Sequence, residues 1–197
     1  RRCLSIVVEI DNKDELITKG AVEEILNICT TFEYNGQTEK LKNEKIENIR
    51  KICKDLNEEG LRVVAICKKI ITNNKKDFNS TDEKEMTLLG FIGFLDPPKE
   101  SAKEAIEGLN NAGIRVMVLT GDNVEVTKCI CDKVGIKSPK IVIGSQIDKL
   151  QDIAVKRLLK KTNIFAKLSP IQKARIVRLL RDSGNVVGYM GDGINDS

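Results

Sequence analysis

The chain has 197 residues, 41% hydrophobic and 31% charged, which is enough apolar material for one ample core or two modest ones inside a water-compatible exterior. Its formal net charge of +4 arises from 33 basic and 29 acidic residues interspersed along the whole length, and with aromatics at 4% and no tryptophan there is no basic, ring-bearing surface of the kind that binds nucleic acid. The longest apolar run, residues 88–95, falls far short of the roughly 20 residues that span a bilayer.

In chain order, a β-branched run at 6–10 and a second at 16–18, separated by Asp11-Asn12-Lys13-Asp14, predict a hairpin. Helical spacing follows at 21–29 (Val22, Ile25, Leu26, Cys29) and at 43–59, where Ile46, Ile49, Ile52, Cys53 and Leu56 share a stripe. Gly60 is placed to end that helix, and 61–71 is a strand candidate. The polar stretch 72–85 has no apolar period and reads as a surface excursion. From Leu88 the rhythm changes to apolar strand, helix, apolar strand, helix, the pattern of a parallel sheet with covering helices. Pro97-Pro98 marks the joint. Predicted beyond it are a helix over 100–111 burying Ala102, Ala105, Ile106 and Leu109, a strand over 114–119 and a helix over 124–134. A strand at 141–143, a helix at 150–160 and a strand at 163–166 come next, then a helix at 170–182 capped by Ser169 with Pro170 in its first position, and a strand at 185–190. Two domains are therefore expected, 1–95 and 96–197, with a hinge near 94–99. The six cysteines lack paired C-x-x-C spacing and no histidine is present, so they read as scattered reduced thiols rather than a zinc site. The chain opens at Arg1-Arg2-Cys3 without a methionine and stops directly after a motif, which reads as a piece of something larger.

Three strand-to-helix units carry polar residues where an open α/β sheet places its ligands, beyond the carboxyl ends of the strands. Thr120-Gly121-Asp122 offers a hydroxyl, amides and a close backbone approach, and is equally the sequence of an ordinary turn with a helix cap. Lys173 stands in the first turn of its helix, where a cation is disfavoured unless something negative is near; beside Lys167, Arg175 and Arg178 it reads otherwise as part of a solvated basic face. Gly191-Asp192-Gly193-Ile194-Asn195-Asp196 packs two carboxylates and an amide between glycines after an apolar strand, a donor set suited to Mg²⁺. Together these groups predict a phosphoryl-transfer site, and without a G-x-x-x-x-G-K-[ST] sequence it is not a P-loop.

Thr120-Gly121-Asp122, then Lys173, then residues 191–196, resembles the haloacid dehalogenase superfamily. Lys19-Gly20-Ala21, Asp96-Pro97-Pro98-Lys99 and Phe165-Ala166-Lys167 with Pro170 narrow the resemblance to P-type ATPases, in the family's order and over the whole chain. The implied fold is α/β: a haloacid-dehalogenase-like parallel Rossmann-type sheet, incomplete here, as phosphorylation domain, plus an α+β partial nucleotide-binding domain. The resemblance implies that Thr120, with Gly121, and Lys173 hold an aspartyl phosphate, that Asp192 ligates Mg²⁺, and that Asn195 and Asp196 support the site. It further implies that Lys19 and Gly20 line an adenine pocket, that Arg62 reaches the nucleotide phosphates, that Arg2 belongs to that pocket, and that Asp122 lies near the ribose. ATP and Mg²⁺ are the implied ligands, and the remaining domains of the same pump are the implied partners. The parent would sit in the cell membrane with this segment cytoplasmic, its transported cation handled by membrane helices outside the chain.

Many pumps carry arginine where this chain has Lys167, which exchanges a bidentate contact for a point charge, and Ser197 stands in place of the usual alanine. No Asp-Lys-Thr-Gly sequence occurs, so the phosphorylated aspartate is expected upstream and the segment by itself is expected to be inactive. The wording of 91–102, 118–123 and 165–168 looks most like the bacterial magnesium-importing subgroup. A calcium pump, a soluble haloacid-dehalogenase-type phosphatase with an inserted cap, and a noncatalytic nucleotide-binding module are the alternatives.

Overall fold

The computed structural model describes residues 3–11, 13–71, 78–137 and 140–191. They form two compact units, one of residues up to 57 together with 61–95, the other of 58–60 together with the residues from 96 onward.

In the first unit, β1 (Cys3–Ile10) and β2 (Lys13–Ala21) make the expected antiparallel hairpin, with Ile10 opposite Lys13 and Asp11 at φ 51° in the connection. β2 is longer than its apolar core, so Lys19, Gly20 and Ala21 are strand residues. Helices α1 (Val22–Ile28) and α2 (Asn43–Glu58) form on the predicted stripes, and Gly60, at φ 94°, follows α2 in a conformation that costs a glycine nothing. Strands β5 (Leu61–Ile71) and β6 (Met86–Leu95) pair along most of their length. Between α1 and α2 lies a hairpin that the apolar pattern did not predict, β3 (Cys29–Tyr34) and β4 (Gln37–Lys40). Its turn is Asn35-Gly36 with φ 50° and 76°, the left-handed pair that a two-residue hairpin loop demands. The sheet order is β1-β2-β5-β6-β3-β4, antiparallel except where β3 meets β6. Within the polar excursion, residues 80–82 form a single 3₁₀ turn capped by Asn79.

Strand alternation sends Leu16, Thr18, Ala65, Cys67, Met86 and Leu88 to the face that Ile25 and Leu26 of α1 and Ile49 and Cys53 of α2 cover. Among the described residues no helix covers the opposite face. Leu4, Ile6, Ile70, Ile92 and Phe94 stand exposed there.

The second unit contains α3 (Ala102–Asn111), β7 (Val118–Leu119), α4 (Val124–Lys133), β8 (Ile141–Ile143), α5 (Gly144–Asp148), α6 (Asp152–Leu159), β9 (Ile164–Ala166) and α7 (Pro170–Arg181). Its three strands run parallel in the order β7-β9-β8, with Phe165, Val142, Ile147, Val155, Ile176 and Leu179 as the core between sheet and helices. A mixed α/β architecture is thus present, with a parallel sheet in this unit.

Three local expectations are corrected. The ladder of the first strand spans only 118–119, with Ile114 exposed, and α3 half-buries Ala102 and Ile106 while Ala105 and Leu109 face water. The helix predicted at 150–160 is present as α6, and the short α5 before it is an addition that the apolar pattern does not announce. Residues 185–190 form no strand: Val186 and Met190 are fully exposed. β propensity alone does not hold an extended segment, which needs a ladder partner for its amides and carbonyls, and none of the described strands flanks this one.

Candidate functional site

Lys19 and Arg62 come from different strands of the first unit and are brought to one face by register. Lys19 lies opposite Ile66 and Ala21 opposite Val64, so the alternation along β5 puts Ile66, Val64 and Arg62 on the same side of the sheet as Lys19. That side is the uncovered one, and both cations are exposed on it. Lys68, on the same side of β5, is 3.1 Å from Glu33, whereas Lys19 has no ion-pair partner among the described residues. Gly20 takes the helix-covered side, buried between Cys3 and Ala65. This face can offer positive charge beside apolar side chains, the combination an aromatic base carrying phosphates requires. Arg2 lies outside the described residues.

In the second unit the loops after β7 and β9 are joined by backbone hydrogen bonds that continue the ladder. The Thr120 N–H donates to the Phe165 carbonyl at 3.0 Å, the Leu168 N–H donates to the Thr120 carbonyl at 3.0 Å, and the Lys167 N–H donates to the Asp122 carbonyl at 2.8 Å. A Cβ on Gly121 would sit 3.4 Å from the Leu168 carbonyl oxygen, an ordinary contact, so the space here does not by itself demand glycine. Lys167 occupies the left-handed region at φ 52°, a conformation costing a non-glycine residue about 1 kcal/mol that this hydrogen bonding holds in place. The Thr120 hydroxyl donates to Asp122 Oδ2 at 3.0 Å and accepts from the Asp122 N–H at 3.1 Å. Asn123 then caps α4 by accepting from the Val126 N–H at 2.8 Å.

Ser169 caps α7 as expected, inside a full capping box: Gln172 Oε1 accepts from the Ser169 N–H at 2.8 Å, and Ser169 Oγ accepts from the Gln172 N–H at 3.3 Å. Lys173, half-buried, follows in the first turn, its N–H bonded to the Ser169 carbonyl at 3.1 Å. The structure therefore brings Thr120, Gly121, Asp122, Lys167 and the start of the Lys173 helix to the carboxyl end of one parallel sheet. Asp192, Asn195 and Asp196 lie outside the described residues. Among the described residues no group of three acidic, cysteine or histidine side chains could hold a metal ion.

Arg175, which the sequence placed on a solvated basic face, is instead tied down. It donates from Nε and Nη2 to Asp152 Oδ1 at 3.0 and 2.7 Å, from Nη1 to the Ile147 carbonyl at 3.0 Å and from Nη2 to the Leu150 carbonyl at 2.7 Å. These hydrogen bonds hold the Asp152 carboxyl below its ordinary 3.8, with the charges of Arg175, Arg178 and Lys156 adding to the effect. No short motif announces this contact, because its partners are carbonyls set by the α5–α6 connection. Three buried thiols are held toward their neutral form: burial raises Cys53, and it raises Cys131 to about 11, while a hydrogen bond with Cys29, then burial, raises Cys67.

Residues 1–101 match the family described as P-type ATPase, cytoplasmic domain N. The whole chain is 43% identical to the magnesium-transporting ATPase, P-type 1, of Salmonella typhimurium and 42% identical to that of Escherichia coli K12. It is also 31% identical, again over its full length, to calcium-transporting ATPase 1 of Bacillus cereus. The chain spans 22% of the length of each of these relatives. No described helix is long and apolar enough to cross a membrane.

Proposed function

The chain belongs to the P-type ATPases, and from that premise we propose that it carries two half-sites of a magnesium pump's cytoplasmic ATP-handling head. Residues 1–95 contribute the later part of the nucleotide-binding domain, and residues 96–197 most of a haloacid-dehalogenase-like phosphorylation domain. The parent protein, in the cell membrane, hydrolyses ATP through an aspartyl phosphate to move Mg²⁺. The identity to magnesium-transporting relatives, above that to the calcium-transporting one, supports this cation.

The observation that carries the reading is the hydrogen-bonded junction of the Thr120 and Lys167 loops. It gathers a hydroxyl, backbone amides and the Lys173 helix terminus at the sheet edge where a phosphoryl group binds. There Thr120 and Lys173 hold the phosphoryl oxygens, Gly121 keeps the backbone close, and Asp122 orients the Thr120 hydroxyl and reaches toward the ribose. Lys167 supplies a point charge in place of an arginine fork. Asn195 and Asp196 support the phosphate and the lysine. Mg²⁺ belongs to Asp192 together with the phosphorylated aspartate from outside this segment; no carboxylate cluster among the described residues completes that site.

In the nucleotide half-site, Lys19 and Arg62 provide the cations, with Gly20 and Arg2 in the same pocket. The exposed apolar face beside them is where the rest of the nucleotide-binding domain packs. In the second unit, an added strand along the free edge of β7, carrying the phosphorylated aspartate, would also give residues 185–190 a ladder partner.

Acid-stable phosphoenzyme formed from ATP in the intact pump tests the reading. Asp192→Ala is expected to abolish it, and normal labelling would remove the metal-ligand role. Restoration of growth to a magnesium-uptake-deficient host by the intact pump tests the cation; calcium transport without magnesium transport would favour the calcium reading.

A further inference from the structure

We propose that Arg175 and Gln172 are positioning residues for Lys173, fixing the start of α7 against a brace formed by residues 144–152; this rests on the reading above, in which Lys173 meets a phosphoryl group. A lysine side chain is long and rotatable, so its aim depends on how firmly its helix is held in rotation and along its axis. The two residues that hold α7 flank Lys173. Gln172 uses both ends of its amide, accepting from the Ser169 N–H at 2.8 Å and donating from Nε2 to Asp148 Oδ2 at 2.7 Å. Arg175 makes four hydrogen bonds to three acceptors on the brace, two of them the backbone carbonyls of Ile147 and Leu150. Both carbonyls belong to the end of α5 and the α5–α6 connection, the Ile147 carbonyl also accepting from the Leu150 N–H at 3.1 Å, and a planar guanidinium meets the pair in a fixed direction.

The brace also touches the loop before α7. A Cβ at Gly144 would lie 2.2 Å from Gln172 Oε1 and 2.7 Å from the Lys167 carbonyl oxygen, so backbone meets backbone where only glycine fits. Lys167 and Leu168 are in turn bonded to the carbonyls of Asp122 and Thr120. One continuous chain of contacts thus runs from Asp152 and Asp148, through Arg175, Gln172 and Gly144, to the Thr120 loop. Farther along α7 the burial is ordinary apolar packing by Ile176 and Leu179. Beyond a single 3.3 Å contact from Arg178 to Asp152, the directional contacts of α7 with the brace come from Gln172 and Arg175, on either side of Lys173.

The test is a double-mutant cycle in the intact pump, read as acid-stable phosphoenzyme formed at saturating ATP. Lys173→Ala is expected to lower the rate about 100-fold and Arg175→Ala about tenfold, each with little change in the ATP concentration for half-maximal labelling. In the Lys173→Ala background, Arg175→Ala should add little, because the group it positions is gone. Arg175→Lys, which keeps the charge but loses the fork, should fall between wild type and Arg175→Ala, and it carries the same cycle if Arg175→Ala does not fold. A further tenfold loss in the Lys173→Ala background, or a loss expressed only as weaker ATP binding, would overturn the positioning role. If Lys173→Ala alone labels normally, the phosphate-site reading itself falls, an outcome distinct from failure of the cycle.

Discussion

In the first unit, Lys19 and Arg62 reach the same sheet face from strands separated in sequence by both helices and the β3–β4 hairpin. In the second, the Thr120 loop is hydrogen-bonded directly to the loop that leads into the Lys173 helix. Register places one half-site and local loop chemistry places the other. The first depends on the long-range pairing of β2 with β5, and its face is exposed and apolar. The second is closed by backbone bonds and tolerates little change in shape, as Gly144 shows. The two should therefore fail in different ways.

The sharpest way to break that contrast is kinetic. Lys173→Ala should lower phosphoenzyme formation at saturating ATP about 100-fold, while Lys19→Glu should weaken ATP binding roughly tenfold or more and leave the rate at saturation near normal. Calorimetric titration with ATP and rapid-quench labelling separate the two effects; equal ATP affinity for wild type and Lys19→Glu would remove the nucleotide half-site. Next in size is Gly144→Val. Its side chain meets backbone oxygen, so it should cost about 1–3 kcal/mol in the second unit. Amide hydrogen exchange should show faster exchange in α7 with β2 and β5 unchanged, and a uniform change across both units would contradict the separation of their cores.

Smaller still is the expected difference among thiols. Cys3 and Cys129 are half-buried while Cys29, Cys53, Cys67 and Cys131 are buried. With Cys131 raised to about 11 and Cys53 and Cys67 also raised, those three present little thiolate near pH 8. Mass spectrometry after brief alkylation should find Cys3 and Cys129 modified first, and early labelling of Cys67 would indicate that the first unit's core opens readily.

What the sequence revealed follows the same division. Periodicity found α1, α2 and β5 because each has one apolar face, and the cap at Ser169 with Pro170 located the start of α7 to the residue. It missed β4 because Gln37, Thr38, Glu39 and Lys40 are all exposed and carry no alternation, although Asn35-Gly36 marked the turn. It overread 185–190 because an apolar run states propensity and not the presence of a neighbour. The local geometry of the candidate residues was legible where a motif fixes it, as in the turn at 120–122. The shared face of Lys19 and Arg62 was not, because it depends on pairing across β2 and β5, and Arg175 was misassigned because its partners are carbonyls of a distant turn.

The smallest predicted effect compares the arginine that ties helices in each unit. Arg50 joins α2 to α1 through Glu23 at 2.8 Å, with Glu47 of its own helix as the other partner, so every acceptor is a carboxylate. Arg175 has one carboxylate, Asp152, and two carbonyls. Acid can remove the first kind of acceptor and not the second. Because Arg175 holds the Asp152 carboxyl below its ordinary 3.8, the stability that charge contributes is fully present above pH 3.8 and is lost as pH falls through the depressed value. Asp152 is exposed, so solvent screening keeps the contribution small and added salt should shrink it further. Asp152→Asn should therefore be slightly less stable than wild type at pH 7 and should converge with it in strong acid, followed by thermal unfolding at several pH values. A deficit that stays constant down to strong acid would mean that Asp152 acts through its shape and its place at the start of α6, leaving the two carbonyls as the part of the brace that holds Arg175.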